Sequence, residues 1–154
     1  TAAGVRGIKL KPGDYVVGAV LIQEGFNVLF VSEGGYGKCT VNDGFNVQNR
    51  GGMGVQVYKI TDKTGPLVGI DSVNETEELM LINSNGVIIR IRISEVSITG
   101  RVAMGVKLIN LNAGEKVISI AKISQDQIEY ELGDDVSDDE ESEFQDSESE
   151  VFDE

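Results

Sequence analysis

The sequence predicts an all-β chain built from a repeated unit of about 50 residues. Three observations carry that expectation. The 154 residues include 19 glycines and only 2 prolines, with Val and Ile leading the apolar set, a composition of strands and tight turns. The pair Gly4-Val5 recurs as Gly54-Val55 and Gly105-Val106, and "GVRGIKL", "GVQVYKI" and "GVKLINL" follow in register. Short apolar runs are punctuated by Gly- and Asn-containing turn clusters.

Each unit resolves into strands in order. About ten residues after each Gly-Val pair come "DYVVGAV", "GPLVGID" and "EKVISIA", preceded by the turn sequences "LKPGD", "DKTGP" and "LNAGE". "VLFVS" and "LMLIN" are apolar throughout, as expected of strands buried on both faces. The turns "SEGG" and "NSNG" carry hairpin chemistry, with Gly35 and Gly86 at matched positions. In "VIIRIRIS", Ile89, Ile91 and Ile93 point to one side while Arg90 and Arg92 point to the other. Four strands in about 50 residues is the size of a propeller-type blade. The expected units span about 1–50, 51–101 and a partial 102–125, together forming a body of 1–133. Two and a half blades do not close a ring, so the segment reads as the C-terminal piece of a longer protein rather than an open or oligomeric assembly.

Composition excludes several chemistries. Histidine is absent, which removes a Ser-His-Asp triad, a Cys-His dyad and any His-containing zinc site. A single cysteine, Cys39, rules out an intrachain disulfide and reads as a small packed strand residue in a reducing compartment. The formal charge of -13 is an average over two unlike parts. Residues 134–154 hold 12 of the 26 acids and no base, which leaves the body near -1. That serine-rich acidic segment is expected to be disordered, since it has little apolar area to offset the entropy of ordering.

"SEGGYGKCT" superficially resembles a phosphate-binding loop. Such a loop needs a glycine five residues before its Gly-Lys and a helix after it. Ser32 occupies the first position, Cys39 follows the lysine, and "CTV" continues as a strand. The stretch is therefore a Gly-rich hairpin, with Lys38 left as a candidate contact to a nucleic-acid phosphate.

The repeat landmarks "GVRGIKLKPGDYVVGA", "GGYGKCT" and "GRVAMGVKLINLNAGEKVISIAKI", with the acidic tail, resemble the C-terminal domain of the DNA gyrase A protein. The resemblance runs through residues 1 to about 125 and implies a β-pinwheel, a propeller-like ring whose blades exchange strands, here incomplete. It also implies non-sequence-specific wrapping of duplex DNA on a basic rim, in support of ATP-dependent negative supercoiling. No catalytic residue, metal or cofactor is expected in this segment. ATP and magnesium belong, by the resemblance, to other parts of the holoenzyme. The implied partners are double-stranded DNA, the rest of the gyrase A protein, and the gyrase B protein in an A2B2 assembly. The implied location is the bacterial cytoplasm at the nucleoid, or an organelle. The family's signature box finds a degenerate copy in Gln48-Asn49-Arg50-Gly51-Gly52-Met53-Gly54, where Asn49 and Met53 replace two of three basic residues.

Under that resemblance the candidate DNA contacts are Arg50 and Arg101, which fall at one repeat position beside Gly-rich links, then Lys38, Arg90 and Arg92, then Arg6, Lys9 and Lys107. Arginine at such links suits phosphate contact without sequence readout. Arg90 and Arg92 serve equally to blunt an exposed edge strand. The tail reads as a solubilising end, as a tethered mimic of DNA that competes for the basic rim, or as a cation-binding segment. Two further readings of the whole remain: the equivalent domain of topoisomerase IV, and a propeller-type protein-interaction module with no DNA role, which the near-neutral body keeps open.

Overall fold

The computed structural model describes residues 2–140, with side chains described through 132. Seven strands form two sheets. β1 (Asn27–Ser32) and β2 (Tyr36–Val41) are an antiparallel hairpin across the "SEGG" turn, and β4 (Glu78–Asn83) and β5 (Ile88–Arg92) repeat it across "NSNG". Gly35 and Gly86 sit in these turns at φ of 76° and 79°, a left-handed conformation that side chains resist.

Each hairpin is completed from the next repeat. β3 (Leu67–Val73) pairs with β1, and β7 (Val117–Ile123) pairs with β4, both antiparallel with the same bulge near the turn end. A short fourth strand, β6 (Val106–Lys107), closes the first sheet against β2. The sheet orders are therefore β3-β1-β2-β6 and β5-β4-β7. Strand exchange between successive units is the pinwheel arrangement expected above.

The folded units are offset from the expected ones. The sheets cover residues 27–73 and 78–123, apart from β6, so the half unit lies at the front of the chain and not at its end. Periodicity fixes the repeat length but not its phase, and exchanged strands shift the phase by about half a unit. Residues 14–20, the counterparts of β3 and β7, lie outside any sheet among the described residues.

The two sheets stack by opposite faces. The main core joins Leu29, Val31 and Cys39 of the first sheet to Leu79, Leu81, Ile89 and Ile91 of the second. A second cluster, Val28, Phe30 and Tyr58 with Phe45 and Met104, covers the other face of the first sheet. β1 is thus buried on both faces, as its apolar run predicts. β4 alternates instead, with Met80 and Ile82 only half-buried on the face away from the first sheet.

After β7 the chain forms helix α1 (Gln125–Glu140). This differs from the expectation that residues 134 onward are unstructured; residues 141–154 of that segment lie outside the described ones. The physical reason is a capping box. Ser124 N donates to Gln127 Oε1 at 2.9 Å, and the Ser124 carbonyl accepts from the amides of Gln127 and Ile128. A bond from Gln125 Nε2 to Glu129 Oε1 at 2.8 Å supports the first turns.

Close packing of the exchanged strand gives a test. A Cβ on Gly105, at φ +79°, would lie 2.1 Å from the Gly37 carbonyl oxygen, whereas at Gly114, at φ +82°, it would meet open space. Gly114→Ala should cost about 1–2 kcal/mol from backbone strain alone. Gly105→Ala should cost clearly more in urea unfolding, because β6 must also leave β2.

Candidate nucleic-acid interface

The links between units are built by backbone pairing. Ile8 and Gly52 form a parallel bridge, Lys9 N donates to the Gly52 carbonyl at 2.8 Å, and Gly51 N donates to the Gly7 carbonyl at 2.8 Å. This seam draws Arg6 and Lys9 alongside Arg50, which is distant from them in sequence, and all three cations are exposed. Gly51 takes a φ of 73° at this seam, a left-handed conformation that side chains resist. Gln48, Asn49 and Met53 of the degenerate box are also exposed.

The second link is held by β2. Cys39 N donates to Ser97 O at 3.0 Å, Thr99 N to Cys39 O at 2.9 Å, and Thr40 Oγ1 to Thr99 O at 3.1 Å. Arg101 is half-buried. One of its terminal amines donates to the Gly44 carbonyl at 3.2 Å, and its Nε is buried without a partner among the described residues. The buried Nε is closed to an outside anion, so a phosphate would be met by the terminal amines. Lys107 is exposed on β6 beside this region, with Nζ 3.3 Å from Asn110 Oδ1.

Two expected contacts are placed differently. Lys38 is a core residue and not a loop lysine at the surface: its exposure is 0%. Its Nζ donates to the carbonyls of Gly100 at 2.8 Å and Arg101 at 2.6 Å. The strand alternation that follows the hairpin turns it inward beside Phe30 and Tyr58. Burial pushes its pKa below the ordinary lysine value. Arg90 does stand on the face opposite Ile89 and Ile91, as the alternation predicts, but it is ion-paired to Glu78 and, at 2.7 Å, to Glu131 of α1. The two carboxylates raise its pKa further, with Glu131 the larger cause. Arg92 lines a shallow depression with Glu75, Glu77, Glu78 and Glu131, an acidic setting for a phosphate track.

Among the described residues, Arg6, Lys9, Arg50, Arg92, Arg101 and Lys107 form no ion pair, whereas Arg90, Lys116 and Lys122 do. Lys11, Lys59 and Lys63 are likewise exposed and unpaired among the described residues, and four of the unpaired cations, Arg6, Lys9, Arg50 and Arg101, stand at the two links. Sequence reasoning missed Glu131 as a partner of Arg90. The Ser124-x-x-Gln127 capping box was the available signal that a helix would carry it there.

The family model described as "DNA gyrase C-terminal domain, beta-propeller" matches residues 1–23, 27–74 and 77–124. The chain belongs to this family. The two longer matched segments coincide with the three strands β1-β2-β3 and β4-β5-β7, so the family's repeat has the phase of the folded sheets. The chain is 43% identical over 124 residues to the DNA gyrase A protein of Aminobacterium colombiense, covering 80% of this chain and 15% of the relative. It is 41% identical over 128 residues to the DNA gyrase A protein of Staphylococcus epidermidis, covering 82% and 14%. It thus spans about one-seventh of the curated relatives it matches. A solved DNA gyrase A C-terminal domain superposes with a TM-score of 0.73 at 32% identity, over 79% of this chain and 41% of that one. The C-terminal domain of DNA topoisomerase IV has the same fold, with a TM-score of 0.75 at 19% identity over 89% and 43%.

The seam between β2 and the second link is testable by chemistry. Cys39 is 1% exposed, and burial pushes its thiol from 9.0 up to about 11. At pH 9 an unfolded cysteine is half ionised, whereas Cys39 should stay neutral and resist iodoacetamide. Labelling should become rapid only in denaturant. Native labelling at the denatured rate would show that the seam is open.

Proposed function

We propose that this chain binds duplex DNA through its phosphate backbone as the C-terminal part of a gyrase A protein. Wrapping there supports ATP-dependent negative supercoiling by an A2B2 holoenzyme in the bacterial cytoplasm. The observation that carries the reading is the link seam, where exposed Arg6, Lys9 and Arg50 lie side by side and unpaired among the described residues. Arg101, half-buried at the second link, adds a contact through its terminal amines. Family membership and 41–43% identity to gyrase A proteins support the same reading.

Neither recognition helix nor stacking platform is needed. Tyr36 and Tyr58 are buried and so cannot stack on bases, and backbone contact to bent duplex leaves deformability as the source of sequence preference. The rest of the gyrase A protein is the natural partner for residues 14–22, where Tyr15, Val16, Leu21 and Ile22 are exposed and no sheet receives the strand. The acidic tail, residues 134–154, modulates binding by competing with phosphate for the cations.

Duplex binding measured across a salt series tests this. Three to four phosphate contacts give a slope of log K against log salt of about -3, and Arg50→Ala should flatten it by about one unit. A flat response in the unaltered chain would remove the proposal. Truncation after Gly133 should tighten binding, and unchanged affinity would remove the competitor role of the tail.

A further inference from the structure

Lys38 is the most unusual side chain in the molecule. It is a wholly buried lysine with no carboxylate partner among the described residues. Its ammonium lies 5.6 Å from the Phe30 ring centroid and 5.7 Å from that of Tyr58. Both of its hydrogen bonds go to carbonyls of consecutive residues in one link, Gly100 and Arg101. Burying a cation costs far more than packing an apolar side chain. The second unit shows the cheaper solution, because Ile89 takes the position 51 residues after Lys38 and packs into the main core. Filling space therefore does not account for a lysine here. What a lysine adds is a rigid, charge-assisted tie to backbone carbonyls beyond the edge of its strand.

The tie completes a series. Cys39 and Thr40 bind Ser97 and Thr99, and Lys38 reaches past them to residues 100 and 101. Without it the Gly100 carbonyl keeps only the turn bond from Ala103 N at 3.2 Å, and no side-chain packing holds the residue, since a Cβ there would meet no atom within 4 Å. Arg101 would then depend on a single side-chain bond to Gly44 O at 3.2 Å.

We propose that Lys38 is a positioning residue: its buried ammonium fixes the Gly100-Arg101 link so that the Arg101 guanidinium meets DNA phosphate in a set geometry. The inference rests on the DNA-binding reading and deepens it. Lys38 itself touches no DNA. It acts through Arg101, which a double-mutant cycle can isolate.

The test compares the full chain with Lys38→Met, Arg101→Ala and the double variant, binding a fluorescent duplex of mixed sequence, with folding checked by circular dichroism. Arg101→Ala should lower affinity by about tenfold, the effect of one charge-assisted contact. Lys38→Met should cost a similar factor alone but less than about twofold in the Arg101→Ala background. Lys38→Gln, which keeps a neutral donor, should fall between and show the same non-additivity, and it serves if Lys38→Met does not fold. Wild-type affinity in the folded Lys38 variants, or a loss that persists in full without Arg101, overturns the role. If the unaltered chain binds no duplex, the DNA reading fails on its own. Amide exchange at Thr99 and Ala103 then decides the tie, and protection kept in the Lys38 variants overturns it.

Discussion

Every part of this fold depends on one constraint: neither hairpin makes a sheet until a strand from beyond the next Gly-rich link joins it. β1-β2 lacks an inner neighbour until β3 arrives across the first link, and β4-β5 lacks one until β7 arrives across the second. A hairpin alone is marginal in water. The exchanged strand is therefore what makes each sheet stable, and it also fixes the distance between sheets. Gly69 on β3 shows how closely the exchanged strands stack, since a Cβ there would lie 2.5 Å from the Ile120 side chain of β7. The links that carry the candidate phosphate contacts are the connections this exchange requires.

The same constraint explains what happens at the ends of the stack. Each sheet offers one face to the unit before it and one to the unit after. The far face of the second sheet, with Met80 and Arg90, is partly covered by α1, whose Tyr130 and Glu131 line a shallow depression with Met80 and Lys122. A helix in place of a sheet gives the face a polar cover, which is how repeat arrays end. Arg90 and Arg92 then read as residues of an end face and not of an outer rim. Their counterparts in the first unit, Cys39 and Val41, bear this out: Cys39 lies in the core between the sheets.

Much of this was legible in the sequence. The period of 50–51 residues, the two hairpin turns and the Ile-Arg alternation of β5 are local patterns, and each appears as expected. The phase of the repeat was not legible, because strand exchange is a long-range pairing that leaves no mark on local periodicity. Lys38 was misplaced for a related reason. A lysine after a Gly-rich turn reads as a loop residue, and only the alternation from Gly37 to Cys39 and the partner carbonyls 62 and 63 residues away turn it inward. The helix was readable in part from Ser124-x-x-Gln127, but acidic composition outweighed it.

The near-neutral body is the strongest argument against a DNA role, and the placement of its charges answers it. Net charge counts every base equally, whereas the fold does not. Lys116 is tied to Glu33, Lys122 to Glu77 and Arg90 to two carboxylates, so these bases and acids cancel at short range. Lys38 is sealed in the core. Arg6, Lys9 and Arg50 are brought together by backbone pairing of residues 7–9 with 51–52, and Arg101 is held by the β2 seam at residues 97–101. With a screening length of about 8 Å at physiological salt, a phosphate feels that local cluster and not the average over the chain. A weakly charged body with a few well-held arginines at its links would give modest affinity and strong dependence on their geometry. That is the condition under which a buried tie such as Lys38 has the most influence on binding.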